Sequence, residues 1–167
     1  MSGRSGAALI TYLTAGFPDR ATSLDAIRVA AEHSDVLEVG VPFSDPVADG
    51  PVIQAASHRA LAGGMNLPAT LELIAEAAPK VPVVLFSYLN PVMSYGVDRL
   101  LRDAADIGVA GLLLTDLPAG GDAEIESAVR NSSLDLIRLV APTSSPERIE
   151  AIVDGASTRP VQWYFDN

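Results

Sequence analysis

Two carboxylates, Glu38 and Asp49, bracket the densest chemistry in the chain, Leu37-Glu-Val-Gly-Val-Pro-Phe-Ser-Asp-Pro-Val-Ala-Asp-Gly-Pro-Val-Ile-Gln54. The residues up to Pro42 read as a β-strand, in which period two sets Val36, Glu38 and Gly40 on one face and Leu37, Val39 and Val41 on the other. The apolar face should meet helices. Glu38 then points into a barrel interior or onto the second face of a sheet, beside a glycine that leaves room for a ligand. A carboxyl desolvated there has its pKa raised toward the range useful for acid/base catalysis near neutrality. The other reading of Glu38 is a buried acid paired with an arginine. Asp49 stands before Gly50-Pro51, where an aspartate would cap the helical stretch Val52–Leu61. Ser44, Asp45 and Pro46 read first as turn residues.

Other chemistries find little support. The only lysine, Lys80, precedes a strand and so lies away from the end where α/β active sites assemble, which argues against a Schiff base. His33 and His58 have no HxxxH or HxH spacing, and the chain has no cysteine, so a metal site and a thiolate nucleophile are not expected. There is no Walker or GxGxxG pattern after the first strand and no GxSxG elbow. Carboxylate acid/base chemistry at strand C-termini is what remains. Its possible companions are Tyr88 and Asn90 after the third strand and Asp116 after the fourth, each with an ordinary alternative as a rim tyrosine, a loop asparagine before Pro91 and a turn aspartate before Pro118.

The elements that must position these residues alternate along the chain. Strands are expected over Ala8–Thr14, Asp35–Pro42, Val81–Tyr88, Ala110–Thr115 and Leu134–Val140. Helices are expected over Thr22–His33, Leu67–Ala78, Val97–Ile107, Asp122–Asn131 and Ser145–Val153. The strands are continuously apolar, as parallel strands covered on both faces are. Consecutive βα units with right-handed crossovers leave an open doubly wound sheet or a (β/α)8 barrel. Length favours the open, flavodoxin-like sheet, because a barrel usually takes about 250 residues. The end of the chain, Thr158 to Asn167, breaks the rhythm with Arg159, Pro160 and Gln162 where a sixth strand is due, and reads as an edge strand or frayed terminus.

Composition narrows the partners. The 167 residues suggest one domain, burying roughly 70% of its unfolded surface. A 49% hydrophobic content and mean hydropathy of +0.27 exclude intrinsic disorder. A net charge of −10 without a basic cluster argues against nucleic acid. No run approaches the ~20 apolar residues of a membrane span, and no signal-peptide pattern opens the chain, so a cytoplasmic location is expected.

The run Glu38-Val-Gly-Val-Pro-Phe-Ser-Asp-Pro-Val-Ala-Asp-Gly-Pro resembles the signature of tryptophan synthase α subunits. Tyr12-Leu-Thr-Ala-Gly-Phe-Pro-Asp19, Ser87-Tyr-Leu-Asn-Pro-Val-Met-Ser-Tyr-Gly96, Thr115-Asp-Leu-Pro118 and Leu139-Val-Ala-Pro-Thr-Ser are similar to further family segments, in order. The resemblance implies a (β/α)8 TIM-barrel family and reverses the preference drawn from length. It implies a partial barrel of about five βα units over residues 1–157, followed by a divergent tail over 158–167.

The resemblance further implies a lyase that cleaves indole-3-glycerol phosphate to indole and glyceraldehyde 3-phosphate by a retro-aldol step in tryptophan biosynthesis. Glu38 matches the family's catalytic acid/base, and Asp49 the aspartate that accepts a hydrogen bond from the indole N–H. Tyr12, Phe86 and Tyr88 match positions lining the indole pocket. Asp45, Pro46, Asn90 and Pro118 lie in segments that face the partner β subunit of an α2β2 complex. No cofactor is implied in the α subunit; pyridoxal phosphate belongs to the β subunit. The family's later lid and glycine-rich phosphate loops find no match, so weak or absent turnover is expected of this chain. The alternatives are a non-catalytic fragment that only binds the β subunit and a self-sufficient flavodoxin-like domain.

Overall fold

The computed structural model describes residues 7–154. Five parallel strands, β1 (Ile10–Thr14), β2 (Val36–Gly40), β3 (Val83–Ser87), β4 (Val109–Leu114) and β5 (Asp135–Ile137), form one sheet in the order β1-β2-β3-β4-β5. A doubly wound sheet reverses its strand order once so that helices cover both faces. No reversal occurs here. With right-handed crossovers, a sequential order puts every connecting helix on the same side, as in an arc of a TIM barrel. The flavodoxin-like alternative is thereby overturned.

Between β1 and β2 runs α1 (Arg20–His33); α2 (Pro51–Ala62) and α3 (Leu67–Ala77) join β2 to β3; α4 (Leu89–Tyr95) and α5 (Val97–Asp106) join β3 to β4; α6 (Ala123–Arg130) joins β4 to β5; and α7 (Pro146–Asp154) follows. Helix starts obey local chemistry. Asp19 and Asn66 accept the N–H groups of Thr22 and Ala69, and Asp122 accepts those of Glu124 and Ile125. Ser145 lies before Pro146 and takes the Arg148 N–H at 3.3 Å.

The core lies between sheet and helices. Outward strand residues Leu37, Val39, Val83, Leu85, Leu112, Leu114 and Leu136 pack with helical Ile27, Leu71, Ile74, Leu100 and Val129, all buried. The opposite face carries a different set. The register aligns Tyr12, Glu38, Val84 and Gly111 in one row and Thr14, Gly40, Phe86, Leu113 and Ile137 in the next. Apolar continuity along the strands therefore reflects helices on one side and an inward-facing lining on the other, where sequence suggested helices on both. A register shift at Val83/Val84 against β4 adds curvature to the sheet.

Two expectations about the elements are corrected. β5 is short, three residues where seven were expected. Asn90 lies in helix α4, not in a loop, although Pro91 follows it. Proline is tolerated in a first helical turn, and the acceptor for the Leu89 N–H is Asp116 Oδ1 at 2.7 Å, a partner too remote in sequence to read locally. The tail over 158–167 and its boundary at 157 lie outside the described residues. Among the described residues no helix is long and apolar enough to cross a membrane.

Candidate active site

Glu38 projects from the middle of β2 onto the inner face, opposite Leu37 and Val39. It is 5% exposed, and its Oε1 has no hydrogen-bond partner. No arginine pairs with it among the described residues; the buried acid–arginine pair of this protein is Glu126–Arg138 instead, at 2.8 Å. Without a compensating charge, burial raises the Glu38 carboxyl from 4.5 to about 7. At neutral pH such a group is both a usable acid and a usable base.

Tyr12 is its neighbour across the β1–β2 register, and its ring meets Phe86 edge to face at 5.3 Å. Burial is the main cause that lifts the Tyr12 phenol to about 12, so it keeps its proton. The room beside Gly40 is taken by this side chain. A Cβ built at Gly40 would overlap the Tyr12 hydroxyl. Gly40 therefore serves the approach of Tyr12, which corrects the expectation that it leaves space for a ligand.

Asp49 does not cap α2. The cap residue is Gly50, which offers no side chain, while Pro51 occupies the first turn as expected. The Asp49 carboxyl turns to the Tyr88 hydroxyl; burial raises its pKa, and the bond from Tyr88 pulls it back down. The local signal of an aspartate before Gly-Pro is outweighed by a tertiary partner. Tyr88 follows β3 at the N-cap of α4, is 2% exposed, and accepts the Ala48 N–H at 3.0 Å. Phe43 packs on its ring at 5.0 Å. The β2–α2 loop is thus folded back over the strand ends, bringing Asp49 and Tyr88 together at the mouth of the inner face that holds Glu38, Tyr12 and Phe86.

The remaining positions are outside this lining. Asp45, Asn90 and Pro118 are exposed and Pro46 half-buried, on loops and the α4 start at the C-terminal ends of the strands. Asp116 is a structural acceptor for α4. His33 and His58 are exposed on helices, and no three His, Asp or Glu side chains converge as a metal centre requires among the described residues. Sequence reasoning missed Glu126 and Arg138, whose types are ordinary for a helix surface and a strand end and whose burial arises only on folding.

The arrangement offers a partly protonated acid at neutrality, a carboxylate held by a phenol, and aromatic walls. It suits a flat, apolar substrate ring that must gain or lose a proton. Comparison with known proteins gives the family. The family model described as "Tryptophan synthase alpha chain" matches residues 1–159. The chain is 47% identical over 153 residues to the tryptophan synthase alpha chain of Desulfatibacillum aliphaticivorans, covering 90% of this chain and 58% of that protein. Against the Methanosarcina acetivorans alpha chain the identity is 44% over 151 residues, 90% and 56% of the two lengths. Among solved structures, the aminoacrylate-bound tryptophan synthase of M. tuberculosis superposes with a TM-score of 0.87 at 40% identity, over 95% of this chain and 64% of that one. The Pyrococcus furiosus α2β2 complex gives 0.85 at 36%, over 90% and 61%. This chain spans a little under three fifths of the length of these two curated relatives. A family model that matches residues 1–159, and relatives 44% and 47% identical over 90% of the chain, make it a member of the tryptophan synthase alpha chain family.

Proposed function

We propose that this site is that of a retro-aldol lyase acting on indole-3-glycerol phosphate, releasing indole and glyceraldehyde 3-phosphate. The observation that carries the reading is Glu38, buried on the inner face, unpaired among the described residues and poised near pH 7. Its protonated form delivers a proton to the ring carbon that bears the glycerol chain. The carbon–carbon bond then breaks as the adjacent hydroxyl loses its proton and becomes the aldehyde, and that proton restores the carboxylic acid. Asp49 accepts the ring N–H and opposes the positive charge that builds on the indole during protonation. Tyr88 holds Asp49 in place, and Tyr12 and Phe86 wall the ring. The two carboxyls divide the work because their surroundings differ: burial alone acts on Glu38, whereas a phenol donates to Asp49.

The chemistry requires no cofactor from this chain, and we place it in the cytoplasm. Partnership with a pyridoxal-phosphate-containing β subunit is part of the proposal, through Asp45, Pro46, Asn90 and Pro118. These share the rim around the mouth, so indole leaving the site would pass directly to a subunit docked there. Indole release by the purified chain, with and without a β subunit, tests the reading. Glu38→Gln is expected to lower it by about 10²–10⁴-fold, the usual worth of a positioned acid/base. An unchanged rate removes Glu38 from the role. A second reading, binding to the β subunit without turnover, draws on the exposure of the same rim, and a pull-down positive for the β subunit beside a silent assay would favour it.

A further inference from the structure

The proposed chemistry leaves one buried ion pair unused. Glu126 of α6 and Arg138, the residue following β5, meet at 2.8 Å with side chains 9% and 5% exposed. Both also reach the loop that joins β4 to α6. The second Glu126 oxygen accepts the Gly120 N–H at 2.8 Å, and Arg138 Nη1 lies 3.5 Å from the Leu117 carbonyl oxygen. Gly120 presents that N–H from a tight turn, in which its φ is +76° and the Gly121 N–H bonds Pro118 O at 2.8 Å. The third position of such a turn demands a positive φ and hence glycine.

The same loop holds Tyr88 at its other end. The Thr115 hydroxyl interacts with the Tyr88 hydroxyl, and Asp116 Oδ1 accepts the N–H of Leu89 at 2.7 Å. Tyr88 in turn takes the Ala48 N–H at 3.0 Å and donates to Asp49. The ion pair therefore holds Leu117 and Gly120, the backbone leads from Leu117 to Asp116, and Asp116 holds Leu89 beside Tyr88, whose hydroxyl meets the Ala48 N–H next to Asp49. The charged Glu126 oxygen strengthens the bond from the Gly120 N–H, and a buried ion pair adds little net stability, since a well-packed apolar pair often replaces it without loss.

We propose that the Glu126–Arg138 ion pair is a positioning element of the active site: by clamping Leu117 and Gly120 it sets the Thr115–Asp116 segment, which places Tyr88 and, through it, Asp49. The proposal rests on the reading of Tyr88 and Asp49 as site residues. Its direct readout does not.

Amide hydrogen exchange on the full chain reports the contacts one by one. The double variant Glu126→Leu/Arg138→Met keeps volume and removes both charges. It is expected to speed exchange at Gly120, Leu89 and Ala48 by roughly tenfold or more, while Leu37 and Leu85 in the central strands keep their rates. Asp116→Ala, at an exposed position, is expected to speed Leu89 and Ala48 but not Gly120, because the chain is cut beyond the clamp. The conservative Arg138→Lys, which keeps a charge against Glu126 but loses the forked group that also reaches the Leu117 carbonyl, should give the same pattern as the double variant, more weakly, and guards against a double variant that fails to fold. Unchanged rates at Leu89 and Ala48 in the clamp variants, or equal acceleration at all amides, would overturn the proposal and leave the pair a structural one only. In the indole-release assay the clamp variants are expected to lose activity with no change in the pH at which Glu38 titrates. If the lyase reading itself fails, no variant releases indole, yet the exchange pattern still decides the clamp.

Discussion

Glu38 shows how one residue takes its chemistry from its surroundings. The carboxyl titrates near 4.5 when solvated and about 7 in the fold, with burial as the cause. Two predictions follow from this one shift. In the proposed mechanism the protonated form reacts, so turnover is expected to fall as pH rises through about 7, and a rate profile flat between pH 6 and 8 would contradict the assignment. Between pH 4.5 and 7 the folded state binds more protons than the unfolded chain, so folding stability falls as pH rises across that window. Glu38→Gln cannot ionise, so its thermal midpoint relative to the wild type should improve from pH 4.5 to 7.5. Gly40 makes a steric prediction. Gly40→Ala meets Tyr12 Oη and is expected to destabilise, whereas Tyr12→Ala/Gly40→Ala recovers part of the loss; additive effects in that cycle would refute the contact. The face on which Glu38 lies was legible from period two alone. The use of Gly40 was not, because Tyr12 reaches it from another strand.

At the scale of elements, helices whose caps lie in their own sequence were readable, and α4 was not. In the structure Asp19, Asn66 and Asp122 cap α1, α3 and α6 from the residue before each start, but the Leu89 N–H that opens α4 is met by Asp116, 27 positions on. The β2–α2 loop repeats the lesson: Asp49 has the local position of a cap and spends its carboxylate on Tyr88. The junction of α6 with the end of β5 carries its own prediction. Arg138→Ala leaves Glu126 buried and uncompensated, which costs about 3–5 kcal/mol, while Glu126→Leu/Arg138→Met removes both charges and should cost far less. Urea unfolding of the two variants checks this, and equal losses would mean that the pair is not desolvated.

Across the molecule, the sheet is organised by its sequential order and by the difference between its two faces. The outward face, with Leu37, Leu85 and Leu112 fully buried, forms the core with the helices. The inward face carries Glu38, Tyr12 and Phe86, so the proposed site lies on the side that the helices do not cover. β2, β3 and β4 are hydrogen-bonded on both sides, whereas β5 contributes only three paired residues. Amide exchange is therefore expected to be slowest in Val39, Leu85 and Leu112 and faster in β5, by orders of magnitude if local opening governs it. Uniform protection along the sheet would show that β5 opens only with the whole.

What the sequence by itself determined was what consecutive residues can express. The alternation of apolar runs and amphipathic stretches determined the βα units, period two placed Glu38 opposite Leu37 and Val39, and local polar residues started most helices. Tertiary structure alone decided the strand order that separates a barrel arc from a doubly wound sheet. It also decided the turn of Asp49 to Tyr88, the capping of α4 by Asp116, the filling of Gly40's space by Tyr12, and the burial of Glu126 with Arg138. The physical reason is range. Backbone periodicity and capping act over a few residues, whereas desolvation, pKa and hydrogen-bond partnership depend on which distant segments packing brings within 3 Å.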